Sequence, residues 1–257
     1  MTGYIGAPAR MLPLLWANPA PVKRPTRYAV QEAAGKRWAF VAAPAMARRR
    51  EWTLDITGTQ REMHPVLQLA AGHFGDGPWW LVTDEAAMTN VLTPAQSMLE
   101  GIANAGAAET VDGVSAMSVV GGAPVTIADL VPAIPGEPIT VSVDASGATT
   151  LSVQPVDATG RAVGKAKNVS AEGELMQRIH ATILVLPAGA CGVAISARGY
   201  TTLACPQVVW SEEPAAWDVG LGSDSVIIEE TSSTHTGFEF YTRDWWRTMS
   251  LTIREVG

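Results

Sequence analysis

The C-terminal end of the chain carries the pattern that most constrains the fold. Met249, Leu251 and Ile253 alternate with polar residues, which is typical of a β-strand with one buried face. Residues 50–56 show the same alternation, with Trp52, Leu54 and Ile56 at its apolar positions. Two matching strands at opposite ends of a chain are expected to pair in one sheet. The two ends are therefore predicted to close a single domain.

Aromatic residues disappear abruptly after Asn90. All nine Trp, all four Phe and three of the four Tyr lie outside residues 91–209. That stretch contains short Val- and Thr-rich segments between Gly and Pro turns, one of which is predicted at Ser146-Gly147. This pattern favours an antiparallel β-sandwich of the jelly-roll type. An inserted domain needs only that its two connections lie close together. We predict a mainly β protein in which residues 1–90 plus 224–257 form one small β-domain with a short helix, and residues 91–223 form an inserted β-sandwich.

The predicted helix follows the Trp52 strand. Thr59 and Glu62 have the spacing of a capping box, and Gly72 stands where a helix commonly ends. Pro65 falls inside the apolar pattern, so a start at Pro65 is the alternative.

Charge and hydropathy exclude several classes of function. The formal net charge of −7 argues against a nucleic-acid-binding surface, which requires clustered Lys and Arg. No apolar run is long enough to span a membrane. The N-terminal residues lack the pattern of a signal peptide, so synthesis in the cytoplasm is expected.

Cys191 and Cys205 lie symmetrically about Arg198, and Gly199 suits a three-residue hairpin loop. In that register the two cysteines face each other across two strands. A cytoplasmic protein keeps such cysteines reduced and buried. A disulfide formed later, outside the cell, is the alternative.

No residue pattern indicates catalysis. The four His are not at metal-ligand spacing, and no nucleophile elbow, P-loop or zinc-protease motif occurs. Glu212-Glu213 and Glu229-Glu230 are best interpreted as solvated loop charges. We predict a protein that is not an enzyme and has no catalytic residue, no cofactor and no metal site.

Jelly-roll sandwiches often bind carbohydrate, so the predicted sandwich is a candidate for sugar binding. Sugar rings usually stack on exposed aromatic side chains, and Tyr200 is the sole aromatic residue between positions 91 and 209. Tyr200, at the predicted hairpin tip, is the candidate glycan contact. A spacer domain without sugar binding is favoured over it, and a sugar site of Asp, Asn and backbone groups stays open.

The N-terminal arm, Ile5 through Val22, is rich in Pro and apolar residues. Proline suits extended edge segments rather than central strands. We predict that the arm packs on an adjacent copy of the chain and joins a ring. The predicted subunit contacts are Leu12, Leu14, Leu15 and Trp16, with Trp16 as the main anchor.

Several segments together resemble the minor tail proteins of phages that infect actinobacteria. These segments are Arg48-Arg49-Arg50-Glu51-Trp52-Thr53-Leu54, Gly77-Pro78-Trp79-Trp80-Leu81-Val82-Thr83-Asp84, Asn90-Val91-Leu92-Thr93-Pro94-Ala95-Gln96-Ser97, Pro206 to Trp217, and Ser250 to Val256. That family follows a strand with an Asn-Leu-Leu-Thr-Pro motif that leads into an inserted galactose-binding-like sandwich.

The resemblance implies a structural protein of the virion, distal-tail-like, in a ring at the tail or tail tip. Its implied partners are further copies in a hexamer or trimer and the tail tube, hub and tape measure proteins. Its outward sandwich would contact host surface polysaccharide, although an aromatic-poor sandwich departs from the sugar-binding members. The alternatives are a stand-alone carbohydrate-binding module and a capsid decoration protein.

Overall fold

A computed structural model describes residues 3–14, 22–23, 28–33, 36–41, 49–102, 108–111, 114–119, 124–239 and 243–256. The protein is mainly β with antiparallel strands and few helices, as predicted. The elements in chain order are β1 (Gly3–Ala7), β2 (Arg10–Leu14), β3 (Val22–Lys23), β4 (Tyr28–Ala33), β5 (Lys36–Val41), β6 (Glu51–Thr59), α1 (Gln60–Ala70), β7 (Trp79–Val82), α2 (Asp84–Thr89), α3 (Pro94–Ser97), β8 (Ala108–Val111), β9 (Val114–Val119), β10 (Val125–Pro132), β11 (Ile139–Val156), β12 (Lys167–Ala171), β13 (Gln177–Ile183), β14 (Gly192–Val209), β15 (Ser223–Glu239) and β16 (Asp244–Glu255).

The chain divides into two compact units. Unit 1 contains Gly3–Met11 and Trp80–Ser223, and unit 2 contains Leu12–Trp79 and Asp224–Gly257. Residues 3–11 and 80–90 thus lie in unit 1, whereas the predicted inserted domain begins at residue 91. Independent folding of residues 91–223 stays a prediction.

In unit 2, β16 lies between β15 and β6 in one sheet, and β3 pairs with the other edge of β6. Met249 pairs with Ile56, Leu251 with Leu54, and Ile253 with Trp52, so the predicted pairing of the two chain ends is confirmed. Side chains alternate between sheet faces, which places these six residues on one face. The buried core of unit 2 includes Trp52, Leu54, Ile56, Met63, Val66, Leu69, Met249, Leu251 and Ile253.

An ion pair closes the end of this sheet. Arg50 Nη2 lies 2.8 Å from Glu255 Oε1, and the backbone amide of Glu255 donates to the carbonyl of Arg50. The Arg50 guanidinium also lies 5.0 Å from the centre of the Trp52 ring. Arg50 is buried, whereas the preceding Arg49 is exposed.

Helix α1 has the predicted capping box. The Thr59 side chain accepts from the amide of Glu62, and the Glu62 carboxylate accepts from the amide of Thr59. The helix begins at Gln60 and contains Pro65, so the alternative start at Pro65 is wrong. Two further short helices, α2 and α3, were not predicted. Each begins after a capping threonine, Thr83 or Thr93.

Unit 1 is built on two long strands, β11 and β14, where the sequence predicted pairs of short ones. They pair from Thr140↔Val209 to Val156↔Gly192, with one register shift between Ser142 and Asp144. The predicted turn at Ser146-Gly147 and the predicted hairpin at Gly199 are therefore wrong. Both glycines have positive φ within a strand, which signals a bend rather than a turn.

The bend divides the sheet of unit 1 into two halves. In the first half, residues 149–156 of β11 lie between β12 and β14, and β10 pairs with the other edge of β14. In the second half, residues 139–147 of β11 lie between β13 and β14. There β9 pairs with the other edge of β14, and β8 pairs with β9. The same face of the sheet is apolar in both halves, so the sheet curls around one core. That core includes Val119, Val125, Ile127, Val131, Ile139, Val141, Val143, Leu151, Val153, Ile179, Val193, Ile195, Leu203 and Val208.

Asn90 holds together the incoming segment of the sandwich, which begins at Asn90, and the outgoing segment, residues 206–222. Its amide nitrogen donates to the carbonyls of Pro206 (3.1 Å) and Asp218 (2.9 Å). Its amide oxygen accepts from the backbone of Leu92 (3.2 Å) and Val208 (3.1 Å). The side chain is fully buried, and each of these bonds joins or orders the two segments. We call this set of bonds the Asn90 clip.

Two glycines let the outgoing segment approach the incoming one. A Cβ at Gly222 would lie 1.9 Å from the carbonyl oxygen of Val91, and one at Gly220 would lie 2.2 Å from that of Leu92. Only glycine fits such contacts.

Candidate functional site

A cleft of about 610 Å³ opens at one end of the sandwich in unit 1. Residue pairs Pro132↔Gly192 and Val156↔Gly192 bring the ends of β10 and β11 to the beginning of β14. The loops at these ends and the turn between β1 and β2 line the cleft. Its lining includes Pro8, Arg10, Met11, Ile134, Pro135, Asp157, Thr159, Ala190 and Cys191.

Asp157 is the carboxylate of the cleft. Its Oδ1 accepts from the Thr159 amide (2.8 Å), the Thr159 hydroxyl (2.7 Å) and the Arg161 amide (3.0 Å). These bonds, the Thr159 hydroxyl first, lower the pKa of Asp157 below its ordinary value. Asp157 therefore presents a fixed negative charge at neutral pH.

Cys191 is a buried part of the cleft wall. Burial, and then the charge of Asp157, raise the pKa of its thiol. The thiol stays protonated at neutral pH and is a poor nucleophile. The remaining wall, formed by Met11, Ile134 and Pro135, is apolar.

The arrangement suits binding of a small polar ligand. Apolar walls with a few fixed polar groups are typical of ligand clefts, and the volume lies within their usual range of about 300–1,000 Å³. Arg10 and Asp157 offer opposite charges, so the cleft combines hydrogen-bond donors with an acceptor. Among the residues that the structure describes, no group of His, Cys, Asp and Glu could hold a metal ion.

The predicted glycan contact is not in this cleft. Tyr200 pairs with Ala148 in the middle of β14, and its side chain lies outside the described residues. Tyr200 therefore does not stand at a hairpin tip. The Asp-based sugar site that the sequence left open corresponds better to Asp157, a residue that no sequence pattern singled out.

The predicted subunit contacts fall into two groups. Leu12 and Leu14 belong to β2 and are 8% and 0% exposed. Side chains buried within their own chain cannot anchor a neighbouring subunit, so this part of the prediction is corrected. Leu15 and Trp16 lie outside the described residues, and their role stays a prediction.

The predicted arrangement of the cysteines is wrong. Cys191 immediately precedes β14 and Cys205 lies within it, so the two are separated along one strand instead of facing each other. At about 3.3 Å per residue the strand holds them far beyond disulfide distance. Both are free and buried.

Sequence reasoning also missed a polar network in unit 1. It lies on the outer face of the sheet, in the half that contains residues 139–147 of β11. The Arg178 guanidinium donates to Asp144 (3.0 Å), Ser142 (2.9 Å), Gln207 (2.8 Å) and the carbonyl of Cys205 (2.8 Å). The Gln207 amide nitrogen in turn donates to backbone carbonyls of residues 89 and 216. This network holds the outgoing segment on the sheet and is structural.

Large exposed aromatic side chains occur in unit 2. Phe238, Trp245 and Trp246 are 39%, 47% and 39% exposed. They lie near the end of the hairpin formed by β15 and β16. In the described part of the chain, no helix has the length and apolar character needed to cross a membrane.

No family profile and no curated protein sequence matches this chain. Among solved structures, it is similar to the enzymatically active domain of tailspike protein 4 of bacteriophage CBA120, with 15% identity and a TM-score of 0.37 over 47% of this chain and 21% of that one. It is also similar to CsCBM6-3 from Clostridium stercorarium in complex with cellobiose, with 18% identity and a TM-score of 0.30 over 43% of this chain and 84% of that one.

A third similar structure contains the CBM22-1 and GH10 modules of xylanase 10B from Clostridium thermocellum with xylohexaose. The identity is 15% and the TM-score 0.27, over 58% of this chain and 23% of that one. The chain thus spans about a fifth of the length of the tailspike domain. All three TM-scores lie below 0.5, and similarity at this level does not identify a family, a substrate or a partner.

Proposed function

We propose that this protein is a non-catalytic structural component of a phage tail, distal-tail-like, in which unit 2 serves assembly and the sandwich of unit 1 is presented to the outside. Its partners would be further copies in a ring and the neighbouring tail tube, hub and tape measure proteins. The observation that carries the proposal is the Asn90 clip.

The clip supports the proposal because it gives a physical role to the tail-protein-like motif Asn90-Val91-Leu92-Thr93-Pro94. Asn90 joins the two segments of the sandwich, Thr93 caps α3, and Pro94 occupies the first position of that helix. The residues that carry the resemblance are therefore those that hold together the segments entering and leaving the sandwich.

The proposal is tested on purified phage particles. The protein is expected in the virion by mass spectrometry and, after tails are separated from capsids, in the tail fraction. A cryo-EM map of the particle then gives the ring order. Absence from particles would refute a virion role, and recovery with capsids would favour a decoration protein.

The second candidate function is carbohydrate binding by the cleft, and Asp157 favours it. A fixed carboxylate beside apolar walls can accept hydrogen bonds from sugar hydroxyls while the walls cover the apolar face of a ring. Host surface polysaccharide is the corresponding partner for a tail protein.

Affinity electrophoresis in polysaccharide gels tests the cleft. Asp157→Asn keeps the size and the acceptor oxygen of the side chain but removes its charge, so retention by a polysaccharide that the cleft binds is expected to fall. Asp129→Asn, an exposed change in β10, is the matched control and should leave retention unchanged. Equal retention of all three proteins would exclude the cleft as the sugar site.

A further inference from the structure

The outward face of the sheet in unit 2 is covered by hydroxyl groups. On β6, β16 and β15 the residues opposite the core face form three rows, which run across the strands. The rows are Thr57, Thr248 and Thr234; Asp55, Ser250 and Ser232; and Thr53, Thr252 and Glu230. We call this surface the hydroxyl face.

Side-chain contacts confirm that these residues share one face. The hydroxyls of Thr57 and Thr248 lie 3.3 Å apart, and the Ser250 hydroxyl donates to the Asp55 carboxylate. Thr57, Asp55, Ser232 and Thr234 are exposed. Each hydroxyl can both donate and accept a hydrogen bond, which is the capacity of the hydroxyls on a sugar.

Trp246 continues the hydroxyl face at the hairpin end. It pairs with Thr59 of β6 and with Gly237 of β15, one row beyond Thr57 and Thr248. Its side chain is 39% exposed. From Trp246 to Thr252 the face extends for about 20 Å along the strand.

Trp245, the preceding residue, points to the other face of the same strand. There it makes edge-to-face contacts with Phe238 and His235, whose ring centres lie 5.0 and 5.4 Å away. The two tryptophans are adjacent in sequence and similarly exposed but belong to opposite surfaces. Substitution of Trp246 therefore tests the hydroxyl face, and substitution of Trp245 is the control.

Strand propensity explains the threonines on this face but not the tryptophan. Thr is favoured on any exposed strand. An exposed large aromatic has no such reason, because burial of its ring would be favourable. An aromatic surface beside dense hydroxyl groups and carboxylate residues matches a ligand that is apolar on one side and rich in hydroxyls at its edges.

We propose that the hydroxyl face binds a neutral polysaccharide chain, with one sugar ring stacked on Trp246 and the next residues hydrogen-bonded to the Thr and Ser rows. The site lies in unit 2 and is separate from the cleft of unit 1. It does not depend on the proposed tail location, although a tail protein would use it on the host surface.

The test measures binding of the full chain to dextran, xylohexaose and arabinogalactan by isothermal titration calorimetry. At least one of these glycans is expected to bind the wild type. Trp246→Ala should weaken that binding about tenfold or more, equivalent to about 1.4 kcal/mol. Trp245→Ala should change it less than twofold. Thermal melts establish that both variants remain folded.

Further variants separate this site from its alternatives. Thr248→Val removes one hydroxyl at constant shape and should also weaken binding, whereas Asp157→Asn should not. Loss of binding in Asp157→Asn alone would assign the sugar to the cleft and overturn the proposal.

Two other outcomes would also overturn it and would leave the tail proposal standing. One is an equal loss of binding in Trp245→Ala and Trp246→Ala, and the other is no binding by any of the three glycans. In the last case the aromatic hairpin is better explained as a protein interface.

Discussion

Gly199 shows how one residue shapes the sandwich. Its φ is +130°, and a Cβ there would lie 1.9 Å from the carbonyl oxygen of Ala148 on the neighbouring strand. No side chain fits at that distance. The residue allows β14 to bend against β11 where the two halves of the sheet meet.

Gly199→Ala is therefore expected to destabilise the protein by about 2 kcal/mol or more, since it adds a backbone clash to the strain of positive φ. Gly136→Ala is the control, because Gly136 also has positive φ but has open space around its missing Cβ. It should cost about 1 kcal/mol. Urea unfolding followed by fluorescence measures both. Equal costs would show that the close approach at Gly199 does not matter.

Cys205 makes a prediction about pH. Burial first, and then the hydrogen bond to Asp144, raise its pKa from an ordinary 9.0 to about 11. Between these values the folded chain retains a proton that the unfolded chain releases, so the free energy of unfolding should fall as pH rises from 9 to 11. Cys205→Ala should flatten this fall in pH-dependent urea melts. Fast reaction of the native thiol with a thiol reagent at pH 8 would contradict this assignment.

At the scale of elements, local signals predicted some features and misled about others. The alternation at Trp52 and Met249 predicted a correct strand pair because one face of each strand is buried. The capping box at Thr59 predicted the beginning of α1. By contrast, Gly147 and Gly199 were interpreted as turn residues, because a bend and a turn use the same residue type. Only the partner strand distinguishes the two.

The candidate sites were less predictable than the fold. The turn around Asp157 has a local sequence signal. The position of Asp157 in a cleft depends on how distant strands pair, which the sequence does not reveal. Trp246 and Trp245 look equivalent in sequence, and only strand alternation within the assembled sheet separates their surfaces. The buried role of Asn90 depends on residues more than 100 positions away.

Asn90→Ala should destabilise unit 1 strongly, by about 3 kcal/mol, because it leaves buried backbone groups without partners. Asn90→Asp should be at least as harmful, since a carboxylate cannot donate to the carbonyls of Pro206 and Asp218. Thr89→Ala, at the exposed end of α2, is a neighbouring control with an expected cost below about 1 kcal/mol. Melting temperatures check all three. A stable Asn90→Ala would show that the clip is dispensable.

At the scale of the whole molecule, the division into units predicts which fragments fold. A fragment of residues 80–223 contains the sandwich and the Asn90 clip and lacks only residues 3–11 of the described part of unit 1, so it should melt cooperatively with a β-type circular dichroism spectrum. A fragment of residues 91–223 lacks Asn90 and should melt at a lower temperature. A disordered spectrum for the longer fragment would contradict the division, and equal melting temperatures would contradict the importance of the clip.

The long pairing of β11 with β14 also has a consequence for biosynthesis. The nearest paired residues, Val156 and Gly192, are separated by 36 positions, so β11 leaves the ribosome well before its partner exists. At about 5–20 residues per second the wait is roughly 2–7 s. During that time β12 and β13 can cover the other edge of β11, and together they form a temporary three-stranded sheet. The order of translation thus leaves one edge of β11, the edge that pairs with β14, without its partner until β14 is made.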